Sequence, residues 1–118
     1  MHTGIIVDDA AIMRLRLREI LEPEFRILAE ATNGKEAVAL FAEHNPEFVT
    51  LDITMPQVNG LEALKSILAV HPQARIVIVS AVGQKQIVFQ AIALGAKDFI
   101  IKPFEPDRVL RSIRRLFP

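Results

Sequence analysis

No cysteine occurs among the 118 residues. Disulfide scaffolds and thiolate metal sites are thereby excluded, and nothing favours an oxidising compartment. Charge of one sign is also missing in surplus: 14 Lys plus Arg face 14 Asp plus Glu. A nucleic acid or an anionic membrane would therefore have to be met by a local patch, and neither is expected as a partner. No apolar run approaches the roughly 18 residues that span a bilayer. Residues 1–7 meet Asp8 and Asp9 at once and show neither the basic start nor the long apolar stretch of a secretory leader, so a cytoplasmic location is expected. What is present is 51% hydrophobic and 24% charged residues, enough to bury one core in one globular domain and far from the composition of a disordered chain.

Short β-branched runs recur at residues 4–8, 26–30, 48–52, 75–80 and 97–102, each followed by a helical pattern. Their spacing leaves room for a strand, a helix of about three turns and two short loops. Ile5-Ile6-Val7, Val49-Thr50-Leu51 and Ile76-Val77-Ile78-Val79 are apolar on consecutive residues, as a parallel sheet covered by helices on both faces requires. Asn33-Gly34-Lys35-Glu36 and Asn59-Gly60-Leu61-Glu62 each offer a helix cap with Glu three positions on, and Pro106 suits a first helical position. Five βα units in so short a chain are too few for an eight-unit barrel. An open, doubly wound α/β sheet is expected, with its ligands beyond the carboxyl ends of the strands.

Reading only those strand ends gives Asp8 and Asp9, then Asp52, Ser80 and Lys102. Each alone has a plain structural account: Asp8 or Asp9 as a helix cap, Asp52 as a turn former before Pro56, Ser80 as a small polar strand end, Lys102 as a solvated lysine. Together they converge on one sheet edge, where clustered carboxylates would repel unless a cation neutralised them. Hard oxygen ligands favour Mg²⁺, with Mn²⁺ or Ca²⁺ as substitutes. Lys102 and Ser80 suit the oxygens of a transferring phosphoryl group, and a carboxylate is an established nucleophile for forming an aspartyl phosphate.

The segments IIVDDAAIMR, FVTLDITMPQVNGLEAL, IVIVSAV and GAKDFIIKPF resemble those of response-regulator receiver domains, over essentially the whole chain. The resemblance rests on an acidic pair, a central Asp52 with Pro56 four residues on, a hydroxyl residue and a Lys-Pro, in that order. It implies a flavodoxin-like, five-stranded parallel sheet of order 2-1-3-4-5 in one receiver domain, residues 1–118. It further implies that a sensor histidine kinase phosphorylates Asp52. Asp9, Asp52 and the main-chain carbonyl of Thr54 would bind Mg²⁺ directly, with Asp8 acting through water, while Lys102 and Ser80 contact the phosphoryl oxygens. Phe99 matches the family's aromatic switch position, coupled to Ser80, but carries no phenol hydroxyl. The implied function is that of a two-component response regulator, a phosphoacceptor and not an enzyme. It would act as a monomer, with a flagellar motor switch or another effector as target and a phosphatase as a further partner. Chemotaxis is favoured by overall likeness alone; a different phosphorelay, or a longer regulator whose output domain is absent, stays open.

On the helix over about residues 84–94, Ile87, Val88, Ala91 and Leu94 form the inward stripe and Phe89 points outward. Phe89 and Phe99 are thus candidates for a partner-binding face. The last helix sets Val109, Leu110, Ile113, Leu116 and Phe117 on one side and Arg108, Arg111, Arg114 and Arg115 around the other, a polar face expected to be solvated. Met13 and Met55 read as core or rim residues, and no metal spacing links His2, His44 and His71. An aspartate-nucleophile phosphohydrolase would need a second Asp at position 54, where Thr54 stands. No GxGxxG follows a strand, and no G-x-S-x-G surrounds Ser80.

Overall fold

A computed structural model of the chain describes residues 1–54 and 60–118. Strands and helices alternate as β1 (Thr3–Val7), α1 (Ala11–Leu21), β2 (Arg26–Ala31), α2 (Gly34–His44), β3 (Phe48–Asp52), α3 (Gly60–Val70), β4 (Ile76–Ala81), α4 (Lys85–Leu94), β5 (Asp98–Lys102) and α5 (Pro106–Arg114). The strands are parallel in the order β2-β1-β3-β4-β5, the flavodoxin-like arrangement that the resemblance implies. Met55, Pro56 and Asn59, with the helix cap expected at Asn59, lie outside the described residues.

The two-residue period of a strand divides the apolar runs between two cores. Ile5, Val7, Val49, Leu51, Ile76 and Ile78 face Ala37 and Phe41 of α2, Ala63, Leu64 and Ile67 of α3, and Val88 and Ala91 of α4. Ile6, Phe48, Val77, Val79 and Ile100 face Leu17 and Leu21 of α1 and Val109 and Ile113 of α5. Each fully buried Ile or Leu contributes roughly 1.5–3 kcal/mol, so the continuous runs are what hold helices on both faces. A Cβ at Gly4 would lie 2.2 Å from the ring of Phe48, and only glycine leaves room for that ring on the sheet. Met13 packs at the edge of the second core, as expected.

Local signals set the helix starts. Asn33 accepts the Glu36 N–H at 2.8 Å, and Glu36 reaches back to the N–H and hydroxyl of Thr32 at 2.7 and 2.6 Å. The reciprocal cap therefore forms, with its return bonds at Thr32 instead of Asn33. Pro106 is the first residue of α5. Neither Asp8 nor Asp9 caps α1, whose N-cap position is Ala10, and Asp8 Oδ1 accepts the Ala10 N–H at 2.9 Å.

One expectation about side-chain placement needs correction, and a second gains detail. Leu94 is exposed, because it is the final residue of α4 and the chain turns at once through Gly95, at φ +126°. The arginine face of the last helix is solvated as expected at Arg111, Arg114 and Arg115, but it also makes ion pairs. Arg108 and Arg115 both reach the Asp98 carboxylate, Arg108 Nη2 donates to the Phe99 carbonyl at 2.7 Å, and Arg114 pairs with Glu24.

β1 and β3 are the central strands, and the helices that follow them leave on opposite faces of the sheet. A crevice opens between carboxyl ends where connections diverge in this way. Asp8 directly follows β1 and Asp52 ends β3, so the fold delivers both to that crevice.

Candidate functional site

Asp52 and Asp8 are buried, while Asp9 is exposed. One carboxylate oxygen from each of the three lies within 4.8 Å of the others. Lys102, the last residue of β5, inserts its ammonium between the two buried acids, 3.0 Å from Asp8 Oδ2 and 3.2 Å from Asp52 Oδ2. The remaining oxygens are tied down locally. Asp8 Oδ1 accepts from the Ala10 N–H, and Asp52 Oδ1 accepts the Thr54 N–H at 3.0 Å and the Thr54 hydroxyl at 2.8 Å. A Cβ at Gly60 would lie 2.6 Å from the Asp52 carbonyl oxygen and 2.3 Å from the Ile53 Cα, so glycine lets α3 begin hard against the end of β3.

The electrostatics follow from one ammonium held between two buried carboxylates, with a third close by. Burial pushes the Asp8 carboxyl above its ordinary range; the Ala10 N–H and Lys102 oppose the rise, and the Asp52 charge adds to it. Burial by itself would lower the Lys102 ammonium, but the hydrogen bond to Asp8 and the charges of both acids lift it above its ordinary range, and it remains a cation. Three carboxylates against one ammonium leave the pocket with surplus negative charge. Three converging carboxylates with hard oxygens, two of them shielded from water, are a donor set for Mg²⁺ or Mn²⁺ and not for a thiolate-seeking metal.

Of the residues singled out from the sequence, Asp8, Asp9, Asp52, Thr54 and Lys102 come together here. Thr54 does so in a way the sequence did not suggest, since its hydroxyl and N–H both donate to Asp52. Ser80 lies inside β4, one residue before its end, with its main chain paired to Ile101. Its hydroxyl is fully buried and has no hydrogen-bond partner among the described residues, a free donor close to the sheet edge. Phe99 and Phe89 are not in the acidic pocket. Phe89 is 60% exposed, and it lines a separate cleft of about 350 Å³ with Phe99, Val88, Ile101, Val82 and Lys85. The grouping of the two phenylalanines thus holds in space, on the α4–β5 flank.

A family model described as the response regulator receiver domain matches residues 5–114. Among similar proteins, a chemotaxis protein CheY of Bacillus subtilis is 51% identical over 97% of this chain and 96% of its own length. A chemotaxis protein CheY of Thermotoga maritima is 48% identical over 95% and 94%. Among solved structures, the CheX-CheY-BeF3-Mg+2 complex from Borrelia burgdorferi contains a chain that superposes with a TM-score of 0.94 at 37% identity, covering 99% of this chain and 90% of that one.

Proposed function

The chain belongs to the response regulator receiver domain family, and from that premise we propose that Asp52 accepts a phosphoryl group from a sensor histidine kinase in a Mg²⁺-dependent reaction. The observation that carries this reading is the convergence of Asp8, Asp9 and Asp52 with Lys102, residues brought together only by the fold. The protein is a signalling module, not an enzyme with turnover on a separate substrate. Residues 1–118 act as one receiver domain. The similarity to CheY chains over nearly their full lengths supports a role in chemotaxis, with an effector such as the flagellar motor switch as target and a cytoplasmic, monomeric state. The complex of the Borrelia relative with CheX supports a further regulatory partner, a phosphatase in this reading. No helix among the described residues is long and apolar enough to cross a membrane.

In this mechanism the Asp52 carboxylate supplies the electron pair that forms the new O–P bond. The P–N bond of the donor phosphohistidine breaks, and its electron pair returns to the imidazole. Asp9, Asp52 and the Thr54 carbonyl would hold Mg²⁺, with Asp8 acting through water. Bound Mg²⁺ supplies the positive charge that offsets repulsion among carboxylates and phosphoryl oxygens. Lys102, already 3.2 Å from Asp52, supplies the second positive charge. The unpartnered Ser80 hydroxyl is available to a phosphoryl oxygen, and its movement toward Asp52 would free space for the half-buried Phe99 ring, biasing the cleft that Phe99 shares with Phe89.

Incubation with Mg²⁺ and a small phosphodonor is expected to label the chain with one phosphoryl group. Asp52→Asn is expected to remain unlabelled with its fold intact by circular dichroism. Multiple turnover of a phosphate ester, dependent on Asp52, would instead establish a phosphohydrolase.

A further inference from the structure

Asp8 is held at its main chain and at both carboxylate oxygens, Oδ2 by an ion pair alone. Its N–H donates to the Ala31 carbonyl at 3.0 Å, its Oδ1 accepts from Ala10, and its Oδ2 meets Lys102. Its carbonyl accepts from Arg14 Nη1 at 2.8 Å. The Arg14 guanidinium is itself fixed, since its Nε donates to Glu30 Oε1 at 3.0 Å while Arg18 Nε takes the other oxygen, Glu30 Oε2, at 2.7 Å. Two arginines one helical turn apart on α1 thus share one carboxylate of β2, and the nearer one reaches on to the strand end where the acidic pocket begins. Among the described residues neither Arg14 nor Glu30 hydrogen-bonds a pocket carboxylate, and a surface-pair reading of α1 would assign the two no role beyond stability.

The planarity of the peptide bond changes that. The Asp8 carbonyl, the Asp9 N–H and the Asp9 Cα lie in one plane, so the group that fixes the carbonyl also fixes where Asp9 begins. Asp9 is exposed and shows no side-chain hydrogen bond of its own among the described residues, so its backbone alone sets the direction of the Cα–Cβ bond from which its carboxylate reaches the pocket. We infer that Arg14 is a positioning residue: held by Glu30, it locks the Asp8–Asp9 peptide and aims the Asp9 carboxylate at the divalent cation. This rests on the receiver reading of the pocket given above.

The test is calorimetric titration of MgCl₂ into the full chain, with unfolding followed in metal-free buffer for each variant. Arg14→Ala is expected to weaken Mg²⁺ binding about tenfold, the size typical of losing an outer partner of a metal ligand. Arg14→Lys is expected not to restore it, because one ammonium cannot reproduce the fork that spans Glu30 and the Asp8 carbonyl. Glu30→Gln, which leaves Arg14 in place but loosens it, should give a smaller loss in the same direction and serves if Arg14→Ala does not fold. In an Asp9→Ala background, Arg14→Ala should cost almost nothing further, since the residue it aims is gone. A folded Arg14→Ala protein that binds Mg²⁺ like the parent would overturn the inference. So would losses for Asp9→Ala and Arg14→Ala that simply multiply, as for independent sites. Failure of the parent protein itself to take up Mg²⁺ would instead overturn the receiver reading of the pocket, and the inference with it.

Discussion

Two charged clusters sit at opposite ends of the same sheet, and their charge balance is reversed. At the carboxyl ends of β1, β3 and β5, three acids converge on one ammonium that pairs with two of them. At the start of β5, one acid, Asp98, takes the Ser112 hydroxyl at 2.7 Å, its neighbour's Phe99 N–H at 2.8 Å, Arg115 at 2.8 Å and Arg108 at 3.5 Å. Burial raises both Asp8 and Asp98, yet the outcomes differ. Asp8 ends above its ordinary range, whereas the donors around Asp98 outweigh burial and hold it below. A cluster with surplus negative charge is poised to take up a cation; a cluster already neutralised by its own chain fastens α5 to β5.

The largest effect in this comparison is expected at Lys102. Lys102→Met leaves Asp8 and Asp52 buried with no cation between them, and breaking a buried pair from one side costs about 3 kcal/mol or more. Urea unfolding in metal-free buffer should show that loss, and saturating Mg²⁺ should restore part of it by binding the folded state. An unchanged midpoint without metal would mean that water already screens these carboxylates, and the contrast with Asp98 would lose its basis.

Asp98→Asn comes next. It removes a charged acceptor shared by two side-chain donors, Ser112 and Arg115, and the ion-pair partner of Arg108, for a loss of about 2 kcal/mol, and Mg²⁺ affinity should not change because the residue lies at the other end of β5. The pH dependence has a definite sign. A carboxyl held below its ordinary value of 3.8 when folded contributes its full stabilisation above that value and loses it as pH falls through the depressed folded-state pKa. Acid titration of the parent should therefore show a stability drop below about pH 4 that is smaller in Asp98→Asn. Equal slopes for the two proteins would place the acid sensitivity elsewhere.

The two clusters were unequally legible in the sequence. Asp8, Asp9, Asp52 and Lys102 stand at the ends of strands visible as β-branched runs, and a parallel sheet brings strand ends to one edge, so periodicity places them on that edge, while the strand order that makes them neighbours came from the family resemblance. Asp98 starts a strand, and its partners lie on α5 at spacings that also describe an ordinary solvated face. Nothing in the pattern Arg108, Arg111, Arg114, Arg115 distinguishes the two arginines that reach Asp98 from the others. Thr54 illustrates a finer limit. Its place two residues after Asp52 was visible, but a hydroxyl bond back to the carboxylate depends on a local turn that composition does not specify. Leu94 failed for a geometric reason, since the helix ends before the stripe to which it belongs finds a neighbour.

The smallest expected effect separates burial from partner count. Arg114 makes two bonds to Glu24, one of them Nε to Oε2 at 2.9 Å, so by number of contacts the pair rivals those of Asp98. Glu24 lies below its ordinary carboxylate range because Arg114 binds it. Both groups, however, face solvent, where water replaces a lost partner and salt screens the attraction. Arg114→Ala should therefore move the unfolding midpoint less than either Lys102→Met or Asp98→Asn, and raising the salt concentration should erase what difference remains. A salt-insensitive loss matching that of Asp98→Asn would mean that contact number, and not shielding from water, sets the strength of these ion pairs on α5.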